Sequence, residues 1–310
     1  MEPVISVQHL VKRYKGADRN AVDDISFTVF HGQFFALLGP NGAGKTTTVS
    51  ILTTTLAPTS GQVTVAGYDL QKEASAVRHS SGIIFQTPSL DLNLTAEENV
   101  RFHAILYGLY RFRPTFASMP QAYKKQVEQL AAVVGIEQDI FKPVRTFSGG
   151  MKRKLEIVRS LIHTPKVLFL DEPTAGLDPA SRRNLWAYLT GVRQEYGTTV
   201  FLTTHYLDEA EQSDAVCIIN KGKIVASGTP EQIKRALIED YLLITSNDHQ
   251  ALCLELERLG LSFSGIGPVK INLNGHTAHE ILRSISTPLT GVTTHTPTLE
   301  DAYLEIVGKE

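Results

Sequence analysis

Hydrophobic and polar positions change rhythm twice within the first three-quarters of the 310-residue chain. The opening runs "ISVQHLVKRY", the alternating "AVDDISFTVF", the unbroken "QFFALL" and, beyond a helix, "GQVTVAG" have the period and composition of β-strands. They predict a small antiparallel sheet that feeds a central strand. After "SSGIIFQ", apolar residues recur at helical spacing in "TAEENVRFHAILYGLY", "PQAYKKQVEQLAAVVG" and "GGMKRKLEIVRSLIH". A helical insertion from about Leu92 to about His163 follows from that change. Strands return in "KVLFLD", "TTVFLTTH" and "AVCIINKGKIVASG", the last a hairpin turned at Asn220-Lys221-Gly222-Lys223. Apolar runs alternating with helices indicate a parallel sheet covered on both faces.

From about Ala236 the pattern shortens. "YLLIT", "HQALCLELERLG", "LSFS", "VKINL", "HTAHEILRSIS" and "LTGVTTH" read as strand, helix, strand, strand, helix, strand. That order predicts a small α+β domain of the ferredoxin-like, split βαβ kind. A closing helix is expected over "TLEDAYLEIV", with Thr296 as N-cap and Pro297 in the first turn. The chain therefore divides into residues 1–235 and 236–310.

Charge narrows the partners. Thirty Lys and Arg against 32 Asp and Glu give a net charge of −2, so no global field recruits nucleic acid or anionic lipid. Cys217 and Cys253 form neither a metal pattern nor a disulfide framework, which suits a reducing compartment, and both are expected to be buried apolar residues. The N-terminus lacks the basic start and apolar block of a signal peptide. The longest uncharged stretch, Thr46 to Tyr68, is interrupted by Thr, Pro and Gly and is not a membrane span. The expectation is a soluble chain whose membrane association, if any, comes through a partner.

The candidate chemistry begins at Gly39-Pro40-Asn41-Gly42-Ala43-Gly44-Lys45-Thr46, which fits G-x-x-x-x-G-K-[ST] between a strand and a helix. Glycines let the backbone wrap close to phosphates, whose charge is met by N–H groups at the helix start. Lys45 would reach the β- and γ-phosphates and the Thr46 hydroxyl would bind Mg²⁺. Asp171 and Glu172 end "VLFLD" and are stopped by Pro173. Carboxylates at the carboxyl end of a parallel strand project into the ligand crevice, Asp171 toward Mg²⁺ and Glu172 as base for the attacking water. His205 and Gln86 end two more strands. Each alone reads as an ordinary strand-end residue, and the four strand ends together describe a nucleotide site. Ser148-Gly149-Gly150 opens a helix striped by Met151, Leu155, Val158 and Leu161. It reads both as a well-capped helix and as a second anion site.

"GPNGAGKTT", Gln86, "SGGM", "VLFLDEP", "AGLD" and His205 stand in an order and spacing that resemble the ATP-binding subunit of ABC transporters, over roughly three-quarters of the chain. The resemblance implies a P-loop NTPase with a RecA-like parallel-sheet core, an antiparallel β-subdomain and an α-helical subdomain. It implies two such domains, as a homo- or heterodimer, sandwiching two ATP molecules head to tail with Mg²⁺. Ser148 and Gly150 would then contact the γ-phosphate held by the opposite phosphate loop. It further implies that Tyr14 stacks on adenine, that Thr47 adds a phosphate contact, and that Gln86 touches Mg²⁺ and the attacking water. Asp178 would couple the two sites and His205 would hold the γ-phosphate. The chain departs from the commonest signature at Phe147, where Leu is usual, and at Met151, where Gln is usual.

"SGGMKRKLEIVRSLIHTPKVLFLDEPTAGLDPASRRNLW" and "TPTLEDAYLEIVG" are similar to exporters of the daunorubicin-resistance and lipooligosaccharide-export type. That implies separate polytopic permease subunits, a place on the cytoplasmic face of the membrane, and no nucleic-acid partner. The alternatives are an importer subunit and a non-transport ATPase clamp on DNA or the ribosome. The single phosphate loop, the near-neutral charge and the absence of sustained heptads speak against the clamp.

Overall fold

The computed structural model describes residues 2–85, 89–175, 177–237, 241–265, 267–273, 276–295 and 298–308. The alternation near the N-terminus is realised in β1 (Pro3–Lys12) and β2 (Val22–Phe30), which pair antiparallel. Val22, Ile25, Phe27 and Val29 face inward while Asp24, Ser26 and Thr28 face solvent, the two-residue period of a half-buried strand. All five residues of β3 (Phe34–Leu38) are buried, and the phosphate-loop sequence links it to α1 (Lys45–Leu52). β4 (Ser60–Val65) and β5 (Tyr68–Asp69) complete an antiparallel sheet in the order β2-β1-β4-β5.

After α2 (Ala74–His79) and β6 (Ser81–Ile84), the helical region supplies α3 (Ala96–Leu106), α4 (Gln121–Val134) and α5 (Gly149–Leu161). α3 starts at a reciprocal capping box between Thr95 and Glu98. The chain then returns through β7 (Val167–Asp171), α6 (Pro179–Tyr196), β8 (Thr199–Thr204), α7 (Leu207–Glu211), β9 (Ala215–Asn220) and β10 (Lys223–Gly228). The second sheet runs β10-β9-β3-β8-β7-β6, with parallel pairing from β9 to β6. Phe27 of β2 stacks on Phe35 of β3 at 5.4 Å, Phe35 on Phe201 at 5.1 Å, and Phe169 lies 5.5 Å from Phe201. This aromatic row joins the two sheets into one core. It also aligns the carboxyl ends of β3, β8 and β7 along one edge.

The chain divides into two compact units, Met1–Ser227 and Gly228–Glu310. The second contains α8 (Pro230–Leu237), β11 (Tyr241–Ser246), α9 (His249–Arg258), β12 (Phe263–Ser264), β13 (Val269–Asn272), α10 (Ala278–Ser284), β14 (Leu289–His295) and α11 (Leu299–Gly308). Its antiparallel sheet has the order β12-β13-β11-β14. Leu242, Ile244, Leu252, Leu256, Val269, Ile271 and Ile281 form its core. The division expected at 235/236 falls at the end of α8. That helix belongs to the second unit because it packs against α11, a contact between residues far apart in sequence.

Thr296 and Pro297 lie outside the described residues. The reciprocal cap of α11 is made by Thr298, whose N–H donates to Asp301 Oδ2 (2.9 Å) while its Oγ1 accepts from the Asp301 N–H (3.1 Å). Cys217 is buried in β9, and burial pushes its thiol up to about 12. Cys253, expected to be buried, is only partly so and sits 3.6 Å from His249 Nε2. Among the described residues no helix is long and apolar enough to cross a membrane.

Candidate active site

The loop from Gly39 to Lys45 turns between β3 and α1 with φ of +81° at Gly42 and +110° at Gly44. A Cβ on Gly39 would stand 2.3 Å from the Ile219 carbonyl oxygen, and one on Gly44 would stand 2.5 Å from that of Ala21. Space requires glycine at both positions, and at Gly44 the left-handed conformation requires it as well. Lys45 is buried, and its Nζ donates to the carbonyls of Gly39 (2.8 Å) and Pro40 (3.1 Å). The same Nζ lies 3.2 Å from Glu172 Oε1.

Two neighbouring strands, β7 and β8, deliver most of the remaining groups. Asp171, the last residue of β7, accepts at Oδ1 from Thr203 Oγ1 of β8 (2.5 Å) and from Thr46 Oγ1 of α1 (3.3 Å). Glu172 follows with φ of +46°, its N–H donating to the Thr203 carbonyl and hydroxyl. A left-handed conformation at a non-glycine residue stores strain and re-aims the side chain. Here it directs the carboxylate back toward the loop, where His205 Nδ1 from the end of β8 lies 3.4 Å from Oε1. Tyr14 OH is 3.3 Å from Thr47 Oγ1. Ala21, Asn41, Gly42, Gly44, Lys45, Thr46, Thr47 and Glu172 surround a cavity of about 320 Å³.

This arrangement fits a polyphosphate nucleotide. One ammonium and a turn of backbone N–H groups can meet phosphate charge, and a carboxylate beside them can take a proton from water. Thr46 Oγ1 and Asp171 Oδ1 are two hard oxygens adjacent to the loop, the donor type that suits Mg²⁺. Among the described residues no three His, Cys, Asp or Glu side chains cluster as a metal site. The set therefore suits an ion that completes its shell with phosphate oxygens and water.

Residues 22–175 match the family model described as ABC transporter. The chain is 38% identical over 256 residues to the daunorubicin/doxorubicin resistance ATP-binding protein DrrA of Streptomyces peucetius, covering 82% of this chain and 74% of that protein. It is 39% identical over 233 residues to the Nod factor export ATP-binding protein I of Ralstonia nicotianae, covering 74% and 68%.

The chain belongs to the ATP-binding subunits of ABC transporters.

These subunits are ATPases, and the likeness extends to solved structures. One titled as the ATP-binding subunit of an ABC transporter superposes with a TM-score of 0.65 at 31% identity, over 75% of this chain and 92% of that one. A probable multidrug ABC transporter ATP-binding protein, YbhF of Escherichia coli, is 38% identical over 239 residues. The match covers 77% of this chain and 39% of YbhF, so the chain spans well under half of that relative's length.

Within this ABC subunit the signature residues stand apart from the phosphate loop. Ser148 caps α5 by accepting from the Met151 N–H at 3.2 Å, with Gly149 and Gly150 in the first turn. Ser148, Gly150, Met151, Leu177, Ser181 and Tyr188 border a separate cavity of about 140 Å³ that no phosphate-loop residue lines. Asp178 caps α6, accepting from the N–H groups of Ala180 and Ser181 and from Ser181 Oγ, bonds that hold its carboxyl below the usual range. Gln86 lies outside the described residues.

Several groups around the site were not singled out from sequence. Thr203 orients both Asp171 and Glu172, yet its hydroxyl has no sequence signal apart from its place two residues before His205. Glu209 is buried and accepts from the hydroxyls of Thr174 and Thr204 (2.6 Å for the latter), anchoring the strand end that carries His205. Burial pushes its carboxyl pKa up, against those hydrogen bonds. Ala21 reaches Gly44 solely through tertiary packing.

Proposed function

We propose that this subunit binds and hydrolyses Mg²⁺-ATP in a head-to-tail dimer and thereby drives export through separate membrane subunits. One observation carries the dimer: the Ser148 helix start and the phosphate loop border different cavities, so a single chain offers two half-sites. A second chain, identical or homologous, supplies the missing half to each. Lys45 and the loop N–H groups bind the phosphates, and Tyr14 packs against the base. Thr46 and Asp171 would hold Mg²⁺, which would offset charge on the phosphates, and Gln86 would touch the ion and the attacking water. Glu172 takes the proton of the attacking water, while His205 and the opposite Ser148 and Gly150 hold the γ-phosphate.

The names of the DrrA and Nod factor relatives support resistance and export as the direction of transport. Phe102 and Leu106 of α3, with Leu109 and Phe112 beyond it, are exposed apolar residues in the helical region. An exposed apolar patch of this kind suits a protein partner, here a helix of a polytopic permease at the cytoplasmic face of the membrane. Residues 228–310 are read as an accessory domain with the ferredoxin-like order of elements.

The test is affinity purification of tagged Glu172→Gln protein from detergent-solubilised native membranes in ATP, with mass spectrometry of what accompanies it. Co-purification of a polytopic membrane protein is the expected result. Ribosomal proteins or DNA without a membrane partner would overturn the transport reading.

A further inference from the structure

Arg153 lies on the second turn of α5, one turn beyond the Ser148 cap, and is buried. Its guanidinium makes three contacts with three separate parts of the chain. Nε donates to the carbonyl of Pro173, the residue after Glu172, at 3.0 Å. Nη1 donates to the carbonyl of Phe85, the residue before Gln86, at 2.6 Å. Nη1 also donates to Glu156 Oε2 at 3.0 Å. Glu156 is fully buried, and its other oxygen accepts from the Ser89 N–H at 3.1 Å. One buried pair on α5 therefore grips Phe85 and Ser89, on either side of the Gln86 segment, and the backbone next to Glu172.

A planar guanidinium with its stem packed has a single orientation in which these bonds form together. Movement of α5 is thus transmitted to the carbonyls of Phe85 and Pro173, while Lys45, bound to its own loop carbonyls, makes no contact with this pair. We propose that Arg153 is a positioning residue that fixes the backbone at Phe85 and Pro173, and through Pro173 the adjoining Glu172, from the signature helix, so that seating of Ser148 on the opposite nucleotide prepares this chain's own site for hydrolysis. The inference rests on the functional reading above, in which Glu172 is the base and Ser148 meets the partner's ATP.

The geometry separates positioning from nucleotide binding. Losing the grip misplaces Glu172 without disturbing the phosphate loop, so turnover falls and affinity holds. Replacement by alanine would leave buried Glu156 without its nearer cation, with only Arg159 Nη2 at 3.9 Å, and confound the result with unfolding. Two other variants avoid this. Arg153→Lys keeps a cation beside Glu156 and loses the planar fork. Arg153→Met combined with Glu156→Gln removes both charges and retains an acceptor for the Ser89 N–H.

Steady-state phosphate release is measured for both, alongside wild type and Glu172→Gln, with thermal melts confirming folded protein. The expected result is a fall in kcat of at least about 10-fold in both variants, with KM for ATP within about 3-fold of wild type. Either folded variant turning over within about 2-fold of wild type would overturn the inference, as would a rise in KM at unchanged kcat. If wild type and Glu172→Gln release phosphate alike, the assignment of the base fails first and takes this inference with it. If Glu172→Gln is inactive and Arg153→Lys is not, the positioning role alone fails.

Discussion

Lys45 Nζ and Glu172 Oε1 stand 3.2 Å apart, both well shielded from solvent, and His205 Nδ1 approaches the same oxygen at 3.4 Å. The lysine proposed to meet phosphate and the carboxylate proposed to face water are thus each other's partner. On the proposed roles, a bound phosphate would compete with Glu172 for the ammonium.

Glu172→Gln separates the two roles. General-base loss lowers turnover by about 100-fold or more, while the neutral amide no longer competes with phosphate for Lys45. ATP affinity is expected to equal or exceed that of wild type, read by equilibrium titration with a fluorescent nucleotide beside a phosphate-release assay.

Lys45→Ala has the opposite signature. It removes the cation from a nearly buried carboxylate and leaves two loop carbonyls without their donor, so nucleotide-free protein should lose about 1–3 kcal/mol of stability. Affinity for ATP should drop by about 100-fold, since a charge-assisted phosphate contact in a shielded site is worth about 3 kcal/mol. Calorimetric titration and denaturant unfolding measure the two effects.

Two glycines of the loop should respond differently to alanine. At Gly42 a Cβ meets nothing within 4 Å, so only the left-handed conformation is penalised, by about 1–2 kcal/mol. At Gly44 a Cβ also collides with the Ala21 carbonyl at 2.5 Å, and the cost should exceed 2 kcal/mol with the cavity itself distorted. Comparable melting temperatures for the two variants would contradict this account.

His103 connects stability to pH. Burial pushes its pKa down to about 3, and the positive charge of Arg159 and the neighbouring His163 act in the same direction. Among the described residues His103 Nε2 has no hydrogen-bond partner, and His163, packed 5.7 Å away, is likewise lowered by burial. The unfolded chain takes up the proton near pH 6.5 while the folded chain refuses it until about pH 3. Stability is therefore fully present above pH 6.5 and is lost as pH falls toward 3, at up to about 1.4 kcal/mol per pH unit for one proton. His103→Leu should flatten the melting curve against pH between 6.5 and 5, with little change at pH 8.

What local spacing alone establishes is the set of parts. The run of glycines ending in Lys45-Thr46, the strand that terminates at Asp171, the Ser148 cap and the alternation of β2 are all readable because each depends on neighbours within one turn or one strand. The order of β-α-β-β-α-β elements after α8 was equally local. Tertiary structure decided how the parts meet. The sheet order β3-β8-β7-β6 is not encoded in any period, yet it places Thr203 against both Asp171 and Glu172; packing beyond it brings Ala21 against Gly44 and lets Arg153 reach Phe85 across 68 residues. The left-handed turn at Glu172 arises from the same packing, since a glutamate has no preference for it. The position of α8 follows too, because its neighbour α11 lies about 60 residues further along the chain. Short-range rules fix the type of element a segment forms. Contacts between distant residues are set by which strands lie side by side, and only the folded chain decides that.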